Sequence, residues 1–164
     1  MRIHLELMPY VALFAFPMSG QDTVLRVYAD QRQQTHVVLT NGKKTVVPGE
    51  RGQVGIESIQ IAKDGRTAGW LVLYDNPDGG PPFAGTLVVW QSGLGIQRFQ
   101  ADQTFWSWTF YASGVQVAYH VGPTHGEDTS HCELHDVKGG RQLASWDGDF
   151  NDAHRPPWTR GLEH

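Results

Sequence analysis

The chain has a single cysteine, Cys132, so no disulfide can form within it and the redox compartment stays open. Charge is also scarce. Only 18 % of the 164 residues are charged, no lysine or arginine run occurs, and the formal net charge is -4. Nucleic acid and anionic membrane surfaces are therefore not expected partners. No apolar run reaches the ~20 residues a spanning helix needs. No window combines a sustained 3.6-residue apolar period with helix caps, which argues against helices. Several catalytic and ligand motifs are missing too. There is no Gly-x-Ser-x-Gly elbow. "GERGQVG" (Gly49–Gly55) lacks the lysine and the length of a phosphate loop, and "DGDFND" (Asp147–Asp152) lacks the spacing and distal Glu of a calcium loop.

What the chain does have is turn formers and rings. Nineteen Gly and 9 Pro accompany 6 Trp, 5 Tyr and 7 Phe, a composition that suits a turn-rich β protein with a sizeable core. Strand-like segments recur: Ile3–Leu7, Val11–Phe16, Thr23–Ala29, Thr35–Thr40, Thr45–Val47, Ser58–Lys63, Thr67–Tyr74, Gly85–Gln91, Ile96–Gln100, Phe105–Tyr111, Val115–Val121, His131–Val137 and Arg141–Trp146. Between them lie Asn41-Gly42, Asp64-Gly65, Ser92-Gly93, Ser113-Gly114 and Gly139-Gly140. Such pairs supply the positive φ values of tight hairpins. The predicted class is all-β.

An internal repeat organises these strands. "IQIAKDGRTAGWLVL" (Ile59–Leu73) aligns with "WTFYASGVQVAYHVG" (Trp108–Gly122), with Gly65 on Gly114 and Trp70 on Tyr119. "TLVVWQSGLGIQRF" (Thr86–Phe99) aligns with "CELHDVKGGRQLAS" (Cys132–Ser145), with Gly93 on Gly139. This alignment sets Glu133 on Leu87 and His135 on Val89. A fainter copy, Val24–Val47, matches the later half of the unit. Each full unit reads as a four-stranded antiparallel meander.

The segments "AKDGRTAGW" and "YASGVQVAY" resemble the first hairpin of bacterial WD40-like repeats, the β-propeller blades of TolB-type proteins, over about Ser58 to Trp146. The resemblance implies a partial propeller-like stack of blade-like meanders, and a binding or scaffolding surface rather than a defined reaction. Two full copies and one partial copy fall short of the four to eight blades that usually close a propeller. A β-sandwich or barrel is the other architecture compatible with the pattern.

The densest chemistry is "YHVGPTHGEDTSHCELHD" (Tyr119–Asp136), which holds His120, His125, His131 and His135. Strand alternation puts His131, Glu133 and His135 on one face and Cys132, Leu134 and Asp136 on the other. Two imidazoles and a carboxylate at that spacing, completed by His120 or water, could ligate a divalent metal such as zinc. The preferred reading is plainer. A last blade has one face without a neighbour, and polar residues there follow from position. In "FWSWTFY" (Phe105–Tyr111), alternation puts Trp106, Trp108 and Phe110 together as core.

The expected organisation is one domain, 1–161, with 162–164 the start of a purification-tag remnant. The N-terminus is a strand or a secretory-signal remnant, so localisation stays open. The expected function is a non-enzymatic module that binds a protein or assembles with itself. The "YVALFAF" stretch, through Val11, Leu13, Phe14 and Phe16, is the expected homodimer contact, because an open stack leaves apolar faces uncovered. No cofactor is expected unless the histidine cluster holds metal.

Overall fold

The computed structural model describes residues 22–123 and 130–163. Over these residues the chain is all-β, with eleven strands in three antiparallel sheets, none closed into a barrel. The first sheet contains β1 (Val24–Ala29), β2 (Thr35–Leu39) and β3 (Lys44–Val47). The second contains β4 (Gln53–Ile61), β5 (Thr67–Tyr74), β6 (Phe83–Gln91) and β7 (Gly95–Gln100). The third contains β8 (Thr104–Tyr111), β9 (Gln116–Gly122), β10 (Ser130–Asp136) and β11 (Gln142–Gly148). In each sheet, strands adjacent in sequence are adjacent in space. The meanders read from the sequence are present, and each strand segment predicted after residue 22 overlaps one of these elements. Ile3–Leu7 and Val11–Phe16 lie outside the described residues.

Local chemistry sets the turns. Between β4 and β5 the Asp64 carboxylate accepts from the Arg66 and Thr67 backbone N–H at 2.8 and 3.0 Å and from the Thr67 hydroxyl at 2.7 Å. Gly65 follows with φ +66°, a conformation that glycine adopts without steric penalty.

The sheets pack as successive layers. Val24, Val37 and Val47 meet Trp70, Val72, Val88 and Trp90 between the first and second sheets. Leu71, Leu87, Val89 and Phe99 meet Phe105, Trp108, Val117, Tyr119 and Val121 between the second and third. The far face of the third sheet, with Ala118, Cys132 and Leu134, is covered by Trp158 and Leu162 from the C-terminal tail. A layer covered on both sides cannot alternate polar and apolar residues. Hence β5 is buried continuously from Thr67 to Val72. Fully burying one such aliphatic or aromatic side chain contributes about 1.5–3 kcal/mol.

Close approach between the second and third sheets depends on Gly69. A Cβ there would lie 2.6 Å from the Trp108 ring. Trp108 in turn donates its indole N–H to the Ser58 carbonyl at 3.0 Å, and its own carbonyl accepts from the Gln60 amide at 2.7 Å.

Two sequence readings need correction. First, β8 is irregular between Phe105 and Ser107. The slip brings Phe105 and Trp108 into the same core and turns Trp106 outward, so Trp106 and Trp108 do not share a face. Second, the repeat register in β6 and β10 differs by one residue from the sequence alignment. Tyr119 pairs with Glu133 as Trp70 pairs with Val88, so Glu133 corresponds to Val88 and His135 to Trp90. The turn after β10 closes with the Gly140 N–H on the Asp136 carbonyl, four residues back. Its counterpart closes with the Leu94 N–H on the Gln91 carbonyl, three back. That extra residue makes the later strands align while the earlier ones slip, and a slip of one exchanges the faces. Leu162 is fully buried, and its carbonyl accepts from the Ser107 hydroxyl at 2.7 Å.

No helix among the described residues is long and apolar enough to cross a membrane.

Candidate functional site

Strand β10 places its side chains as alternation requires. Its register with β9 sets His131 opposite Val121, Glu133 opposite Tyr119 and His135 opposite Val117. Val117, Tyr119 and Val121 belong to the core between the second and third sheets. The face carrying His131, Glu133 and His135 is therefore turned toward the second sheet. This overturns the expectation of a terminal face without a neighbour. The face at the end of the stack is the one with Cys132 and Leu134, and the tail covers it.

His131, Glu133 and His135 do come together. Glu133 is the hub. Its Oε2 accepts from the Tyr119 hydroxyl at 2.6 Å and lies 2.6 Å from His135 Nε2. Its Oε1 lies 3.0 Å from His131 Nε2. The other nitrogen of each imidazole also faces an oxygen: His131 Nδ1 is 2.6 Å from the Asp147 carboxylate and His135 Nδ1 is 3.1 Å from the Gly140 carbonyl. His135 stacks on Tyr119 and meets Phe99 of the second sheet edge-on. The network thus runs from half-exposed His131 and exposed Asp147 at the rim to buried His135 and Tyr119 inside.

The electrostatics follow from this wiring. Burial alone would raise the Glu133 carboxyl, but hydrogen bonds from Tyr119, His135 and His131 outweigh it and hold the group below its ordinary value. The Asp147 carboxylate raises His131 against the opposing effect of burial, and Glu133 adds to the rise. Burial, together with the neighbouring Glu133 charge, pushes the Tyr119 phenol well above its ordinary value, so it stays a donor.

His120 does not join this group. It pairs with Cys132 across the strands, so it lies on the opposite face, with its ring edge-on to Phe150. His125 lies outside the described residues, as do Val11, Leu13, Phe14 and Phe16. Burial pushes the Cys132 thiol up to about 12, which suits a packing residue rather than a nucleophile.

A metal ligand must present a lone pair, and an imidazole must be deprotonated to do so. Here each ring nitrogen of His131 and His135 already faces an oxygen of the cluster or of the backbone. Among the described residues no group of three or more His, Cys, Asp or Glu is arranged to hold a metal ion. The surface clefts around Asn76, Asp102 and Pro123 and around Asp64, Arg66 and Leu94 include none of the cluster's side chains.

Sequence reasoning missed Tyr119 and Asp147. Each lies directly across a strand from its partner, Tyr119 from Glu133 and Asp147 from His131. The signal was therefore cross-strand register, which composition does not carry. Sequence reasoning also missed a second pair on the first sheet. There His36 Nε2 lies 2.8 Å from the Asp30 carboxylate, with Tyr28 stacked on the His36 ring.

Comparison of the chain with protein-family models and with curated proteins gives no match. The site is therefore interpreted from its own geometry.

Proposed function

We propose that the chain is a non-enzymatic β-repeat module that binds a protein partner or assembles with a second copy of itself. The observation that carries this reading is the saturation of the Glu133 cluster. Both carboxylate oxygens and all four ring nitrogens of His131 and His135 are engaged with one another, Tyr119, Asp147 or Gly140. Such a cluster ties adjacent strands together and holds a polar rim against Phe99. None of its side chains lines the clefts described above among the described residues. The stacked antiparallel meanders give such a module repeated layers on which to present a contact surface. Leu25, Leu94 and Val115 are each more than half exposed, at 60, 60 and 55 %. They give the module apolar contact points.

Light scattering of the full chain at micromolar concentration tests the self-assembling form. A dimer is the expected result. A monomer at every concentration removes the homodimer and leaves a different protein as the partner. A second reading, a small metal-binding protein using His131, Glu133 and His135, is favoured by one observation: these three side chains meet within 3.0 Å. Zinc held in stoichiometric amount would replace the first reading with this one.

A further inference from the structure

The three strands of the first sheet contain no Asp or Glu. Their register sets Arg26 opposite Val38 and Val38 opposite Lys44. In the next row it sets Tyr28 opposite His36 and His36 opposite Val46. Residues paired in this way share a face. This face is turned away from the second sheet, which Val37 and Val47 meet from the other side. Arg26 and Lys44 on it are exposed, and Val46 is 46 % exposed.

The two cations converge on one ring. The Arg26 guanidinium carbon lies 5.0 Å from the Tyr28 ring centroid and the Lys44 ammonium nitrogen 5.3 Å. The negative face of an aromatic ring attracts each of them. It also gathers two like charges within roughly one Debye length, ~10 Å at 0.1 M salt, where they repel. Among the described residues neither forms an ion pair with a carboxylate. The acids nearest to them along the chain are committed elsewhere. Asp30 accepts from the Arg32 and Gln34 backbone N–H at 2.8 and 3.1 Å and faces His36 Nε2 at 2.8 Å. Asp22 accepts from the Asn41 amide at 2.7 Å, and Glu50 pairs with Arg98. The whole chain carries a net charge of -4, so this face has the opposite sign to the molecule that bears it.

A carboxylate placed between Arg26 and Lys44 relieves their repulsion and is attracted by both. An extended peptide sends alternate side chains to one face about 7 Å apart. Successive carboxylates at that spacing can reach the two cations, while Val38 and Val46 receive apolar atoms. A long polyanion such as nucleic acid is disfavoured by the acidic remainder of the chain. We propose that the outer face of the first sheet, centred on Arg26, Tyr28 and Lys44, docks an extended acidic segment of a protein partner. This rests on the reading of the chain as a binding module and adds the face and the chemistry of the partner.

Amide shift mapping by NMR on the full chain at low salt tests it. The probe is a capped eight-residue peptide of alternating Glu and Thr, and the control carries Gln in place of Glu. Saturable shifts are expected in Val24–Ala29, Thr35–Leu39 and Lys44–Val47, with none from the control. An Arg26→Gln plus Lys44→Gln variant, whose spectrum should otherwise overlay that of the parent, is expected to bind on the order of tenfold more weakly. Raising the salt should weaken binding to the parent in the same direction. Equal binding of the Gln control, or affinity that salt leaves unchanged, overturns the proposal even if the variant fails to fold. Shifts gathered at Leu94 and Val115 instead overturn this face and leave the binding module standing. No shift at any residue up to millimolar peptide also overturns the face, and the zinc measurement given above decides the module reading independently.

Discussion

Replacing Glu133 with alanine removes the hub of the polar network between the second and third sheets. Three donors lose their acceptor: the Tyr119 hydroxyl at 2.6 Å, His135 Nε2 at 2.6 Å and His131 Nε2 at 3.0 Å. The first two are buried. A hydrogen bond to a charged group contributes about 1.5–3 kcal/mol, and a buried donor left without a partner costs about 1–3 kcal/mol. Partial repair is available, because the Tyr119 hydroxyl lies 2.9 Å from His135 Nε2 and the two can bond each other. His131 is 37 % exposed and can turn to water, so it adds little. The expected loss is about 2–4 kcal/mol, measured by urea unfolding followed through tryptophan fluorescence. In a chain of this size that corresponds to a melting point lower by roughly 5–15 °C. A double-mutant cycle with Tyr119→Phe isolates the bond itself and should show a coupling of about 1 kcal/mol or more. A loss below about 0.5 kcal/mol with no coupling would refute the reasoning, because a change of that size is typical of a plain surface position.

The same network sets a pH dependence. His131 is raised above its ordinary 6.5, so its contribution is complete below that value and fades as pH rises through the folded value. Glu133 is lowered below its ordinary 4.5, so its contribution is present above that value and fades as pH falls through the folded value. The network should stabilise most between about pH 4.5 and 6.5, and a Glu133→Ala variant measured across pH should lose the acid-side change while keeping most of the His131 change, which Asp147 sets. Leu162→Ala empties a fully buried site against Trp158 and should cost about 2–5 kcal/mol by the same denaturation assay. An unchanged midpoint would mean that the tail does not cover the third sheet. Cys132, buried with its thiol pushed up to about 12, should resist a thiol reagent at neutral pH until the protein unfolds. Rapid labelling of the native protein would contradict its placement.

Much of the fold was legible because turn chemistry and strand periodicity are local. The Asp64-Gly65 hairpin and the continuous apolar run of β5 could be read directly, and they place the second sheet. What escaped was non-local. The bulge in β8 moves Trp106 away from Trp108, and nothing in "FWSWTFY" shows which residue is the extra one. The Gly139-Gly140 turn is one residue longer than its counterpart, and this moved Glu133 from the Leu87 position to that of Val88. The candidate site was half legible for the same reason. Alternation along one strand correctly grouped His131, Glu133 and His135. The partners that complete the network, Tyr119 and Asp147, come from neighbouring strands, and only the register of pairing reveals them. The direction of the face was misjudged because the tail that covers the opposite side carries few apolar residues. Among the described residues its buried anchors are Trp158, Thr159 and Leu162.

The most direct test of the account is the metal content of the full chain, freed of any tag and dialysed, measured alongside a His131→Ala plus His135→Ala double variant. If the cluster is a hydrogen-bonded tie between sheets, the wild-type protein should carry well under one equivalent of zinc or nickel. A chelator should not shift its melting point, and the double variant should melt lower without any change in metal content. One equivalent of metal that survives dialysis in the wild-type protein and is lost in the double variant would contradict the account and make His131, Glu133 and His135 a metal centre.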